Sequence, residues 1–294
     1  MFVSIRDEIV FAAGYKQLGE GLKDLGYQSV ELLVHRDDTV SALQPVEGRE
    51  RLRLSGEEGL AELKRQAERM DVQICALCMG NNFNAADWEA EISWAVRTVE
   101  AAAKLGVPVV RIDPLLKGEP HRSSEETQAI VVNALSEILQ RTAGIGVDLG
   151  IENHGGIGND PEFLGYVLST VNSPRLGLTL DSGNFYWRGW PLSKVYAIFE
   201  RFAHDVKHTH IKNIAYPEEI RESERAIGYE YGRYVSPIYE GDIDLSRYVR
   251  LLKQAGYSRD LCMEDESLGR YTESERRENL RKGRQYLERL IQSA

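Results

Sequence analysis

Along the chain one phrase of apolar and polar residues keeps returning. An amphipathic stretch with apolar residues three and four apart is followed by a glycine and then by a short apolar run. Leu22 to Gly26 leads into Tyr27 to Leu32, Ala102 to Gly106 into Val107 to Asp113, and Leu252 to Gly256 into Tyr257 to Asp265. A glycine at such a junction takes the left-handed conformation that ends a helix and lets a strand begin. With weaker copies included, the pattern predicts strands near 2–6, 28–34, 72–78, 108–113, 147–152, 176–181, 206–211 and 260–265. Helices are predicted over Glu57 to Met70, Asp87 to Leu105, Ser123 to Thr142, Pro161 to Thr170, Pro191 to Phe202, Leu245 to Ala255 and Glu273 to Ile291.

Strict alternation of strand and helix is the signature of a parallel α/β sheet, and eight such units close into a (β/α)8 TIM barrel. The 294 residues suit one such barrel, for which roughly 250 is typical, so residues 1–294 are expected to form a single domain. One stretch breaks the rhythm. From Asn213 to Ile243 about thirty residues, rich in Tyr, Glu and Arg, follow the seventh strand, and loops of that length are usually functional or disordered. A segment leaving a strand end lies at the C-terminal face, where barrel enzymes carry their active sites.

Side chains alternate along a strand, so one parity faces the barrel interior and the other packs on the helices. Before Glu152 the apolar parity is Val147, Leu149 and Ile151, leaving Asp148, Gly150 and Glu152 opposite. Before Asp181 it is Leu176, Leu178 and Leu180, leaving Gly177, Thr179 and Asp181. Leu261 and Met263 likewise oppose Cys262 and Glu264, and the seventh strand ends with His208 and His210 on one parity. Three carboxylates and an imidazole are thus expected at the inner rim of the mouth. Carboxylates crowded in a partly buried site repel one another unless a cation compensates them, and this mixed oxygen and nitrogen set suits Mn²⁺, Mg²⁺ or Zn²⁺. Each residue has a plainer alternative: Asp181 as a helix cap, Glu152 as a turn residue, a strand histidine as a buried structural group. Their joint occurrence on the fifth to eighth strands favours the metal site.

Composition narrows the possibilities. Against 46 acidic residues stand 36 basic ones, a net charge of −10 with no basic run, which disfavours a nucleic-acid partner. No apolar stretch of about eighteen residues is present, and Arg6, Asp7 and Glu8 interrupt any leader-like run, so neither a membrane span nor a signal peptide is expected and a cytoplasmic location follows. The three cysteines, Cys75, Cys78 and Cys262, fit a reducing compartment, and the C-x-x-C they include reads as buried strand residues. His121 and His204 carry no signal.

The stretches 150–156 (Gly-Ile-Glu-Asn-His-Gly-Gly), 178–185 (Leu-Thr-Leu-Asp-Ser-Gly-Asn-Phe), 208–213 (His-Thr-His-Ile-Lys-Asn), 240–244 (Glu-Gly-Asp-Ile-Asp) and 263–265 (Met-Glu-Asp) resemble the xylose isomerase-like barrels, and within them the sugar phosphate isomerase/epimerase group. The resemblance spans nearly the whole chain and is specific for the family, not for a substrate. It implies one divalent ion, manganese foremost, held by Glu152, Asp181, His210 and Glu264, with His208 supporting from behind. It implies also that Glu152 and Glu264 act as the acid and base pair, working on a keto or aldo sugar through a metal-stabilised enediolate. Members that cut DNA, of the endonuclease IV type, use extra ligands; here Asn184 stands where they have histidine, and Arg233 to Tyr239 lacks their Asp-x-His pair. Ketose epimerases place an arginine six residues after the metal histidine, where this chain has Tyr216, and Lys212 is a substitute cation.

The substrate-binding candidates are therefore His35, Asn184, Trp187, His208 and Lys212, with Trp190 beside them; aromatic faces commonly pack on sugar rings. A metal-dependent isomerase or epimerase leads. A lyase, dehydrating an inosose-like ketone or eliminating from a 3-keto glycoside, needs the same metal and an acid for the leaving group, for which Tyr229, Tyr231, Tyr234 and Tyr239 are at hand. A sugar-binding barrel without chemistry is disfavoured by the paired glutamates. The partner expected is a small sugar, and the aromatic rim suits a homo-oligomer.

Overall fold

The computed structural model describes residues 1–46, 49–114 and 122–293, so His121 lies outside the described residues. Eight parallel strands run β1 (Phe2–Arg6), β2 (Ser29–Val34), β3 (Gln73–Met79), β4 (Val109–Ile112), β5 (Asp148–Glu152), β6 (Leu176–Asp181), β7 (Val206–His210) and β8 (Asp260–Met263). They are hydrogen-bonded in chain order, with β8 joined to β1. Between β7 and β8 a parallel bridge, Ile211 to Met263, completes the ring; Ile211 N donates to the Cys262 carbonyl at 2.7 Å and Glu264 N to the Ile211 carbonyl at 2.9 Å.

The expected helices are present within a residue or two, from Glu57–Met70 to Glu273–Ser293. Their starts are written locally. Asp87, Ser123, Asp160 and Asp244 each cap a helix with a side-chain oxygen, and Ser123 forms a reciprocal capping box with Glu126. Gly26, Gly106 and Gly256 end the helices of the recurring phrase with φ of 78°, 73° and 83°.

Parity places the layers. Leu149, Ile151, Leu178, Leu180, Leu261 and Met263 are buried in the main core with the helices, while Cys75, Ala76 and Val109 form a separate apolar cluster with Phe2 near the strand starts. All three cysteines are buried and free. Gly150 on β5 has no room for a side chain, because a Cβ there would lie 2.5 Å from Thr179 Oγ1 on β6.

Two elements lie outside the predicted pattern. After β2 the chain forms an antiparallel hairpin, Thr39–Val46 with Arg49–Arg53, held to the helix Glu57–Met70 by Gln66, which donates to the Gln44 carbonyl at 2.8 Å and accepts from its N–H at 3.0 Å. The long segment after β7 is ordered: Asn213–Ile214 pairs antiparallel with Val235–Ser236, and Tyr231–Tyr234 forms one helical turn. Asn213 ties its base, donating to the carbonyls of Ile238 and Ile243, each at 3.0 Å. Among the described residues no helix is long and apolar enough to cross a membrane.

Candidate metal centre at the barrel mouth

Glu152, Asp181 and His210 are the last residues of β5, β6 and β7, and Glu264 follows β8 directly. Asp181 is level with His210 in the ladder. One donor atom from each of the four lies within 4.8 Å of the others, and all four residues are buried. His210 Nδ1 is 3.3 Å from Glu152 Oε1 and 3.6 Å from Glu264 Oε2.

The supports for these groups leave one face of each open. Asp181 Oδ1 accepts from the N–H groups of Gly183 and Asn184, both at 2.7 Å, and its own N–H donates to Asn153 Oδ1 at 2.6 Å. Asn184 Nδ2 donates to Glu152 Oε1 at 3.1 Å. His210 Nε2 points at Glu31 Oε2, 2.9 Å away, which fixes the proton there and turns the Nδ1 lone pair inward. Asp181 Oδ2, His210 Nδ1 and Glu264 Oε2 are buried and carry no aligned hydrogen bond. Lys212 Nζ stands near two of them, whereas His210 Nδ1, its proton on Nε2, faces only carboxylate oxygens, an arrangement of acceptors that a cation would relieve. The donor set fits a divalent ion, and these four residues would hold it.

Around the tetrad stand charged residues that the sequence pattern does not single out. Glu31 lies under both imidazoles, 2.5 Å from His208 Nε2, while His208 Nδ1 faces Asp260 Oδ2 at 2.9 Å. Burial opposes the charge on Glu31, yet His210 and His208 hold its carboxyl well below the usual range. Arg6 bonds Glu264 and lies 2.9 Å from Glu31 Oε1 and 2.6 Å from Glu8. Arg111 bonds Glu152 and the Met79 carbonyl, at 2.6 Å for the latter. Burial works against ionisation of Glu152, and Arg111 with His210 overcomes it, holding that carboxyl well below its ordinary value. Asp181 goes the other way. Burial lifts its pKa, with Lys212 only partly offsetting it and Glu152 adding to the lift. Beyond Glu152, His154 Nδ1 sits 3.2 Å from Asp113 Oδ2 at the rim. Charged residues on the inward parity of apolar strands, such as Arg6 and Glu31, are the signal by which the sequence could have pointed to these partners.

The substrate-side candidates separate. Asn184 and Lys212 reach the tetrad, Lys212 Nζ lying 2.8 Å from Glu264 Oε2 and 3.2 Å from Asp181 Oδ2. His208 is fully buried with both ring nitrogens facing carboxylates. His35 opens the Thr39–Arg53 hairpin, its N–H on the Thr39 carbonyl at 2.8 Å, and its ring is not among the groups gathered round the tetrad; burial, with Arg51 nearby, lowers its pKa. Trp187 packs on Gly228 of the long segment. Trp190 donates to the Asn159 carbonyl at 3.1 Å and carries Lys194 Nζ 3.2 Å above its ring, so it joins loops and does not line the mouth centre.

A family model described as xylose isomerase-like TIM barrel matches residues 20–290. The chain belongs to the xylose isomerase-like TIM barrel family. Solved xylose isomerase-like barrels superpose along its length: an IOLI protein with a bound zinc atom (20% identity, 100% of this chain and 99% of that one, TM-score 0.73), mannonate dehydratase from Streptococcus suis serotype 2 (16%, 100% and 94%, 0.70) and an L-ribulose 3-epimerase (14%, 100% and 95%, 0.69). At these identities they speak for the fold. No match was found among curated proteins.

Proposed function

We propose that this xylose isomerase-like barrel, acting as one domain over residues 1–294, is a divalent-metal-dependent isomerase or epimerase of a keto or aldo sugar. The observation that carries the reading is the convergence of donor atoms of Glu152, Asp181, His210 and Glu264 within 4.8 Å of one another, with His210 Nδ1 facing two carboxylates. A divalent ion there, manganese in our reading, would supply Lewis-acid polarisation of the sugar carbonyl and its neighbouring hydroxyl.

The chain's own residues then divide the work. Glu152 and Glu264 both come within 3.6 Å of His210 Nδ1; in this reading one takes a proton from the carbon beside the carbonyl and the other returns one, through an enediolate of the sugar. Asn184 orients Glu152, and Glu31 holds His210 in one tautomer. Lys212 and Arg6 both contact Glu264 and hold its carboxylate in place.

Wild-type protein in D₂O with Mn²⁺ is expected to exchange the carbon-bound hydrogen next to the carbonyl of a free ketose, with chelation stopping the exchange. Glu152→Gln and Glu264→Gln should each cost at least about 10²-fold in rate, in line with loss of a positioned acid or base. Metal-independent exchange, or full exchange in both variants, refutes the reading. Loss of water from the sugar instead of exchange alone would select a lyase, the class of one structural neighbour.

A further inference from the structure

One wall of the mouth is built from Lys212, Glu266 and Tyr231, and its hydrogen-bonding sense is defined. The Lys212 ammonium has three N–H groups and three carboxylates around it: Glu264 Oε2 at 2.8 Å, Asp181 Oδ2 at 3.2 Å and Glu266 Oε1 at 3.3 Å. Tyr231, on the helical turn of the long segment, spends its single O–H on Glu266 Oε2. Among the four tyrosines singled out from the sequence, only this one is directed at the tetrad's neighbours; Tyr239 bonds Asn279, and Tyr229 and Tyr234 stack on each other. What Tyr231 and Glu266 have left to offer is lone pairs.

The other cations near the tetrad also have carboxylate partners. Each nitrogen of Arg6 meets a different carboxylate, Glu31, Glu264 or Glu8. Arg111 is engaged by Glu152 and by the Met79 carbonyl, with Asp113 3.6 Å away, and His154 is matched by Asp113. A phosphate or carboxylate brings only acceptors to this wall. A sugar hydroxyl brings a donor. Facing carboxylate lone pairs with another anion leaves both unsatisfied and repelling, the arrangement by which a site rejects a wrong ligand.

We propose that the Lys212, Glu266 and Tyr231 wall selects an uncharged polyhydroxy carbonyl compound, whose hydroxyls donate to Glu266 and Tyr231, and rejects phosphate esters and sugar acids. The inference rests on the sugar-modifying reading given above. Titration calorimetry of Mn²⁺-loaded protein with D-fructose, D-psicose and scyllo-inosose, against D-fructose 6-phosphate and D-gluconate, tests it. At least one uncharged compound is expected to bind about tenfold or more tighter than either anion. Tyr231→Phe should weaken that compound three- to tenfold, about the worth of one neutral hydrogen bond. Glu266→Gln should narrow the discrimination, because it removes the negative charge and turns one acceptor oxygen of the wall into an N–H donor. Tighter binding of either anion, no binding of any uncharged compound, or an unchanged ratio in Glu266→Gln overturns the proposal. Hydrogen exchange is scored separately: uncharged sugars that bind with this selectivity but never exchange would sink the isomerase reading and leave the selectivity standing.

Discussion

Replacing Glu31 by glutamine removes one charge without changing size, and its effect on metal affinity follows from the geometry. Glu31 Oε2 is 2.9 Å from His210 Nε2 and 2.5 Å from His208 Nε2. A glutamine that presents its NH₂ to His210 makes Nε2 the acceptor, drives the proton to Nδ1 and aims an N–H at the space between Glu152 and Glu264, where a lone pair is needed. A glutamine that presents its carbonyl keeps the tautomer but loses the charge that makes the imidazole a stronger donor. Partners of this kind behind a metal histidine typically contribute 10- to 100-fold in affinity, about 1.4–2.7 kcal/mol. Calorimetric titration with Mn²⁺ at fixed pH should show a loss in that range for Glu31→Gln. Asp260→Asn, which touches His208 but not His210, should leave the affinity within about threefold. An unchanged affinity in Glu31→Gln, or an equal loss in both variants, refutes the tautomer argument. Thermal unfolding of each apo variant separates misfolding from loss of ligation.

Two further outcomes concern stability. Burial pushes the Asp7 carboxyl up to about 6 from 3.8, against the bonds it accepts from Ser41 and Leu33. A raised folded-state value means the folded protein prefers the protonated form: that contribution is complete below pH 4 and is lost as pH rises through 6, at most about 3 kcal/mol. Asp7→Asn should therefore gain on the wild type in urea denaturation between pH 4 and 7, and a pH-independent difference would remove this account. Gly150→Ala places a methyl 2.5 Å from Thr179 Oγ1, an overpacking expected to cost about 1–3 kcal/mol, with Thr179→Ala in the same chain recovering part of it; wild-type stability in the single variant would show the contact to be soft.

Glu152, Asp181 and His210 are legible in the sequence because a strand offers two faces and the mouth lies at its end; counting backwards through Leu149 or Leu178 assigns the inward side. Glu264 obeys the same rule, although it sits one residue beyond its strand and keeps register through its N–H to Ile211. The partners are harder to read. Arg6 lies 258 positions from Glu264, and only ring closure makes them neighbours. Lys212 shares the parity of His210, but its commitment to three carboxylates depends on Glu266, reached from another strand end. The hairpin after β2 leaves no clear trace in the pattern because its pairing packs Val40 and Leu52 into a core supplied by remote helices. His35, named among the substrate-binding candidates, lies past the end of β2 at the opening of that hairpin, where the strand's alternation no longer applies.

The ring of strands has a seam. Neighbours elsewhere share ladders of paired residues, whereas β7 meets β8 through the single Ile211–Met263 bridge and the bonds beside it. His210 stands on one bank of that seam and Glu264 on the other. A cation gripped by both would be a clasp on the cylinder, coupling occupancy of the centre mechanically to whether the seventh and eighth units of the fold stay together.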